Sequence, residues 1–434
     1  MTSRQQHSIA VFPCGSEIGL EIAKCFQEIK DAHLVGISSF ADHGRFVFDD
    51  YVEIQQFVDD DDFIDCFNRT ITNHKIDLVF PAHDSALLKL GENAGSLRAD
   101  IIGSAPSTIA ITRSKRQTYN HFRHLIRVPT EYEYHTKLEY PLFVKPDRGQ
   151  GSKGCYVVRS LLDVDYHYLK CGKPNSDLLL LEYLPGPEYT VDCFTNHRGE
   201  LLYSGARERK RIKSGISANT RGVGESTDLY VRIRSMACAI NDNIDLNGAW
   251  FFQIKLDRHN ELTLLEIAPR VGGSSGLARI KGVNLPALSY YNHIGKSPVL
   301  LPNDFEVELD RALNNKYRLS IDYDHVYMDF DDCLYCNNQI NGDMVKLIVQ
   351  CRNANKVVHL LTKYAGNIED KLSRLGIRDL LDEVKQIPVE GKKAKYINHK
   401  CSIFIDDSFA ERGDVKTVLN IPVFAPDAIE GLLK

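Results

Sequence analysis

Residues 141–154 read PLFVKPDRGQGSKG, and residues 178–192 read LLLLEYLPGPEYTVD. The first is an apolar strand pattern ending in Lys145, followed by a loop with Gly149, Gly151, Ser152 and Gly154. Free backbone N–H groups in such a loop can wrap phosphate oxygens, and the lysine adds a point charge. A plain Gly-rich hairpin has the same composition, so both readings stay open on this stretch alone. It is not a Walker A loop, because the G-x-x-x-x-G-K-[ST] order is absent. In the second stretch Glu182 sits at the edge of an apolar strand, placed to accept from an adenine amino group while the backbone near Leu184 pairs with the ring. Glu188, beyond Pro185–Gly186–Pro187, is placed to hold ribose hydroxyls.

Further along, FFQIKLD (251–257) and LTLLEIAPRVGG (262–273) predict two adjacent strands joined by a short turn over 257–261. They carry Gln253 and Glu266, with Arg270 just beyond. Oxygen ligands on neighbouring strands beside an arginine suit Mg²⁺ bridging ATP phosphates. Each alone reads as an amide or carboxylate at a strand edge; their order along the chain favours a nucleotide clamp. The run RERKRIK (207–213) alternates Arg207, Arg209, Arg211 and Lys213, which on a strand gives one cationic face. That face is either a solvated edge or a clamp over phosphates or an anionic substrate.

This order of residues resembles the ATP-grasp ligases related to carbamoyl phosphate synthetase and the carboxylate–amine ligases, over about residues 1–305. The resemblance matches the family's phosphate lysines to Lys115, in TRSKRQTYNHF, and Lys145, and its mobile loop to residues 149–154. It matches the adenine hinge to Glu182, Tyr183 and Leu184, and the ribose glutamate to Glu188. The metal-binding strands correspond to Gln253 and Glu266, and the catalytic phosphate arginine to Arg270. What it implies is attack of a carboxylate on the γ-phosphate of ATP, then displacement of phosphate by a small amine or similar nucleophile. Mg²⁺ is the expected metal, with Mn²⁺ as an alternative. Two positions depart from the family pattern: Ala268 replaces the asparagine of its acidic-x-Asn-Pro-Arg motif, and Ser114 replaces the aspartate before the first lysine.

Outside this middle block, residues 1–105 alternate apolar strands (HSIAVFPCG, AHLVGISS, KIDLVFPAH, ADIIGSA) with amphipathic helices, which predicts an open parallel sheet. Gly15 and Gly19 lack the G-x-G-x-x-G spacing and read as glycines of a tight strand-to-helix turn. Alternation resumes at HVYMDFDDCL (325–334), where a strand ends in Asp329, with Asp331 two residues on. Chemistry through an aspartyl phosphate needs one carboxylate as nucleophile, another as acid and base, and Mg²⁺ to relieve repulsion. Downstream, VVHLLTKY ends a strand with Thr362, GKKAKYI supplies lysines, and CSIFIDDS ends another with Asp406 and Asp407.

Residues 322–434 therefore resemble the haloacid dehalogenase (HAD) superfamily. The resemblance assigns Asp329 as nucleophile, Asp331 as acid/base, Thr362 as hydrogen-bond donor to the phosphate and Lys393 as charge stabiliser, with Lys392 as a register alternative. Asp329, Asp331, Asp406 and Asp407 would form the Mg²⁺ site, and Asp331 points to a phosphatase acting on a phosphoester. The spacing leaves no room for an inserted cap. The expected architecture is thus α/β and multidomain: an open parallel sheet over 1–105, an ATP-grasp fold of two α+β lobes over 106–305, a linker over 306–321 and a capless HAD-like Rossmannoid domain over 322–434. The main reading is a ligase fused to a phosphatase. Its rivals are a ligase with a non-catalytic HAD-like docking module, and a non-catalytic ATP sensor suggested by Ala268.

Bulk properties agree with an ordinary globular protein. Of 434 residues, 43% are hydrophobic and 26% charged, and Lys+Arg 53 against Asp+Glu 58 gives a net charge of -5. That balance argues against nucleic acid as a partner. No apolar run approaches the ~18–20 residues of a membrane span, and the first residues lack a signal-peptide core. The eleven cysteines form no dense, regularly spaced framework, and the single CxxC, Cys333 with Cys336, has no second pair at zinc-finger spacing. A reduced, cytoplasmic protein is expected, acting on small-molecule carboxylates and amines, with a homodimer compatible with the sequence.

Overall fold

A computed structural model describes residues 6–133, 138–149, 151–171 and 177–433. Two compact units emerge, Met1–Leu313 and Asn314–Lys434.

The first unit begins with β1 (His7–Phe12), β2 (Ala32–Ser38), β3 (Asp50–Glu53), β4 (Leu78–Pro81) and β5 (Asp100–Ile101), all parallel in the order β3-β2-β1-β4-β5. A central parallel strand is covered on both faces, so it reads as a continuous apolar run. In β1, Ile9 and Val11 join one core with Ile18 and Ile22 of helix Glu17–Phe26, while Ala10 and Phe12 join another with Phe63 and Phe67 of helix Phe63–Asn73. Ser16 caps the first helix by accepting from the Gly19 N–H. A Cβ at Gly19 would lie 2.4 Å from the Cys14 carbonyl oxygen, so this glycine serves the close strand-to-helix turn.

Two antiparallel sheets follow. One joins β6 (Leu142–Pro146), β7 (Tyr156–Val158) and β8 (Leu178–Glu182) in the order β7-β6-β8. The other contains β9 (Glu188–Thr195), β10 (Leu201–Lys213), β11 (Ile216–Gly222), β12 (Gly248–Leu256), β13 (Leu262–Ala268) and β14 (Glu308–Asp310), ordered β13-β12-β9-β10-β11-β14. Helix Asp228–Asn241 buries Ile233, Ala237 and Ile240 against Val191, Cys193 and Trp250 of this sheet. Phe194, Tyr203, Ala249 and Tyr290 share a core with Ile9 and Val11, so the blocks expected to divide at residue 105 pack as one unit. The stretch 306–321, expected to be a linker, starts with β14, which pairs with β11.

In the second unit, β15 (His325–Met328) is followed by a hairpin of β16 (Tyr335–Cys336) and β17 (Gln339–Ile340), then β18 (Val357–Thr362), β19 (Glu383–Gln386), β20 (Ser402–Ile405) and β21 (Val423–Phe424). The parallel sheet runs β19-β18-β15-β20-β21. Helices Gly342–Asn353 and Ile368–Leu375 cover one face through Met344, Leu347 and Leu372; helix Phe409–Leu419 covers the other through Val415. Between Asp331 and Thr362 lie only the hairpin and one helix. A helix, two short 3-10 turns and β19 fill the interval around and before Lys393.

Candidate functional site

A cleft opens between the two antiparallel sheets of the first unit. Its lining includes Lys115, Lys145, Gly149, Gly151, Ser152, Glu182, Tyr183, Leu184, Glu188, Gln253 and Glu266, residues drawn from segments far apart in sequence. Gln253 and Glu266 are direct cross-strand partners on β12 and β13, so their side chains leave the same face of the sheet.

Lys145, at the end of β6, is buried and donates to the Tyr119 hydroxyl at 2.6 Å and to the Leu265 carbonyl at 3.3 Å. Burial, and then the neighbouring Lys115, push its ammonium pKa down to about 8. Lys115 donates to the carbonyls of Asp147 and Gly149, both at 3.3 Å. Ser114 donates to the Asp147 carboxylate at 2.8 Å, and that carboxylate also accepts from the Arg116 N–H at 2.8 Å. An acid is thus present beside the first lysine, supplied by Asp147 across space.

The Gly-rich loop passes through left-handed backbone at Gly151, Ser152 and Gly154; position 150 lies outside the described residues. Gly154 is absent from the cleft lining and lies against Pro146, where a Cβ would come within 2.9 Å of the ring. The tip of the β10–β11 hairpin, Ser214 and Gly215, is also left-handed, and a Cβ on Gly215 would stand 2.2 Å from the backbone of Gly151. The two loops therefore meet over the cleft, and only glycine permits so close an approach.

Several of the residues named from the sequence already have partners within the protein. The Glu182 carboxylate is already engaged, accepting from Arg127 at 2.6 Å and from the Thr130 N–H at 3.0 Å. The predicted single cationic face on β10 is broken by irregular register at Arg209 and Arg211. Arg207 turns inward to Asp192 (2.7 Å), Arg209 into the cleft on Glu188 and Gln253 (3.0 Å to the latter), and Arg211 outward to Asp310. Gln253 therefore already accepts a hydrogen bond through its oxygen. Arg270 lies outside the cleft lining and forms a two-pronged pair with Asp84, both contacts 2.6 Å.

Solved structures arrange their elements in the same way. Biotin carboxylase from Campylobacter jejuni superposes with a TM-score of 0.57 over 70% of this chain and 74% of its own, at 15% identity. The L-amino acid ligase of Bacillus licheniformis gives 0.56 over 68% and 75%, at 17% identity. Over that share, the chain has the fold of these two proteins. Residues 174–310 match the family model described as ATP-grasp in the biosynthetic pathway with Ter operon. A D-alanine–D-alanine ligase from Petrotoga mobilis is 30% identical over 110 residues, which are 24% of this chain and 37% of that protein. This chain thus spans little more than a third of that curated relative. The ATP-grasp ligases are thus what this chain is similar to. Among the described residues no helix is long and apolar enough to cross a membrane.

Outside the ATP-grasp region, the second unit gathers its acids at the carboxyl ends of β15 and β20, where the strand order reverses, the usual ligand crevice of an open parallel sheet. Lys393 is buried, 2.8 Å from Asp329 and 2.6 Å from Asp406. Burial alone would lower its pKa, but the two carboxylates outweigh burial and raise it. Burial pushes Asp406 up to about 6 despite Lys393, and raises Asp407, which Asp329 also disfavours as an anion. One oxygen each of Asp329, Asp406 and Asp407 falls within 4.8 Å of the others, a set that omits Asp331. Asp331 is exposed, and partial burial and then Asp329 raise its pKa. Thr362 is fully buried, its hydroxyl accepting from the Tyr364 N–H at 3.1 Å. Cys333 is buried in the core, its thiol pushed up by burial.

Proposed function

We propose that the first unit is an ADP-forming carboxylate–amine ligase using ATP and Mg²⁺. The observation that carries this reading is the convergence of Lys115, Lys145 and the Gly-rich loop on the same cleft as the paired Gln253 and Glu266. Two lysines and left-handed loop N–H groups are suited to triphosphate oxygens. Glu266 with one amide oxygen fits Mg²⁺, which usually takes one or two protein oxygens beside phosphates and water. Ala268 adds no ligand, and the pair meets that minimum without it.

A second recess, narrow at about 30 Å³, shares Lys115, Gly149 and Glu266 with the cleft and is also lined by Asp84, Thr112 and Arg113. The Arg113 Nε is buried with no hydrogen-bond partner, so this chamber offers a cation to an acceptor carboxylate beside the phosphate end. The carboxylate oxygen attacks the γ-phosphorus, ADP leaves, and an amine then displaces phosphate from the acyl phosphate. ADP release measured over pairs of carboxylates and amines tests the reading; no pair-dependent release, with ATP bound, would leave the ATP-sensor alternative.

For the second unit we propose a Mg²⁺-dependent, HAD-like phosphomonoesterase without a cap. Asp329 would attack phosphorus, held by Lys393, and Asp331 would carry the proton its raised pKa favours. Asp329→Asn should abolish hydrolysis of a generic phosphoester by the full chain. Hydrolysis persisting in that variant would favour the docking-module alternative.

A further inference from the structure

At the opposite end of the second unit's sheet from the carboxylates, three histidines meet. His325 opens β15, His359 lies on β18 beside Tyr327, and His399 precedes β20. One nitrogen of each ring lies within 4.8 Å of the others. With a strand rise of about 3.3 Å per residue, His325 and Asp329 are roughly 13 Å apart along β15, so this is a separate place.

Each outer imidazole is oriented by a second group. His359 is buried, and its Nδ1 is 2.9 Å from Glu383. A carboxylate only accepts, so Nδ1 carries the proton and Nε2 presents its lone pair. That Nε2 accepts a hydrogen bond from the His325 Nδ1–H at 2.9 Å, so a metal entering between them takes the place of this proton, which His325 loses or moves to its Nε2. His399 shares a hydrogen bond of 2.5 Å between its Nδ1 and the Tyr327 hydroxyl. A metal binds the lone pair of a neutral ring nitrogen.

We propose that His325, His359 and His399 bind a borderline divalent ion of the Zn²⁺ type, with Glu383 as the partner that orients His359. Metal–nitrogen bonds of 2.0–2.1 Å in a tetrahedron place nitrogens about 3.3 Å apart. The His325–His359 separation is already near that. His399 stacks flat on His325, with ring centroids 3.6 Å apart and planes 8° apart. A metal lies in the plane of every ring it binds, so His399 must leave the stack; it is exposed, and can turn toward solvent. The fourth position would then hold water. Three imidazoles favour Zn²⁺, Ni²⁺ or Cu²⁺ over Mg²⁺, which prefers oxygen.

The test uses the full chain at pH 7.5, with Zn²⁺ titrated calorimetrically and Co²⁺ followed by its visible spectrum. One Zn²⁺ per chain is expected, together with an intense tetrahedral Co²⁺ band. His399→Ala should weaken Zn²⁺ at least about tenfold, and Glu383→Gln by about tenfold, the usual range for a partner that orients a ligand. Both positions are exposed, so the fold tolerates the changes. Asp407→Asn should leave this Zn²⁺ equivalent in place. Absent binding, binding unaltered in His399→Ala, or binding lost in Asp407→Asn instead would each overturn the site.

Discussion

Lys145 holds its charge in a buried place, and that has a measurable sign. Its pKa of about 8 lies below the ordinary 10.5, so the fold binds this proton less tightly than the unfolded chain does. Without nucleotide, the charged form costs about 3 kcal/mol at neutral pH, a cost relieved as pH rises from 8 toward 10.5. ATP phosphates would offset that cost. Lys145→Gln should therefore lower ATP affinity by at least about tenfold by calorimetry, while the unliganded melting temperature at pH 7 is no lower than the parent's. In the parent, ATP affinity should weaken above pH 8. Asp84 has the opposite sign. Burial alone would raise its pKa, but Arg270 outweighs burial and holds it at about 2. Its contribution, about 2 kcal/mol, is present above the unfolded value near pH 3.8 and vanishes as pH falls through 2. Asp84→Asn should cost about that much in denaturant unfolding at pH 7, with the gap closing below pH 4. Lys145, Gln253 and Glu266 were legible in the sequence because each ends or sits within an apolar strand. The partner of Arg270 was not, since it lies 186 positions away, and no local pattern connects them.

The β10–β11 hairpin shows the same limit at the scale of an element. Strict alternation predicted one cationic face; the irregular register around Arg209 and Arg211 sends neighbouring arginines to different sides. Such bulges follow from twist and from partners such as Glu188 and Asp310, which alternation does not encode. Arg209 also donates to the Gly215 carbonyl at 2.7 Å, tying the hairpin tip to the cleft floor. The tip then touches the Gly-rich loop at Gly151. Gly215→Ala would place a methyl group against that backbone and force a side chain into left-handed geometry, a strain of about 1–3 kcal/mol. Because the tip is peripheral, the strain should be relieved by pushing the two loops apart. The expected result is at least about a tenfold loss of ATP affinity with a small change in melting temperature. Unchanged affinity would show that the loop contact has no part in nucleotide binding.

Both parallel sheets run in the same relative order, with the first strand central and the reversal beside it, an arrangement that apolar strand runs and intervening helices do announce. What they do not announce is where one unit stops. The polar stretch after residue 305 reads as a linker, yet β14 belongs to the first sheet, and Tyr317 reaches Glu430 at 3.4 Å in the second unit. Tyr323 is buried there, with the Lys356 ammonium 3.7 Å above its ring, and Ile321 packs on the same core. A fragment starting at Asn314 should therefore unfold cooperatively at a higher temperature than one starting at Asp322, which loses Tyr317 and Ile321. Mg²⁺ should act on the longer fragment with a definite pH dependence. Asp406 titrates near 6 because burial disfavours its anion. A raised carboxylate pKa means the fold binds that proton more tightly, so this group's contribution to stability is lost as pH rises from 4 through 6. Mg²⁺ held by the ionised carboxylates, as proposed, would restore what is lost. Its stabilising effect should be small at pH 5 and grow to several degrees by pH 7.5, measured by calorimetry at fixed ionic strength. Asp407→Asn should remove most of that increment while leaving Lys393 paired with Asp329 and Asp406. An increment equal at both pH values, or unaffected by Asp407→Asn, would place Mg²⁺ away from these carboxylates.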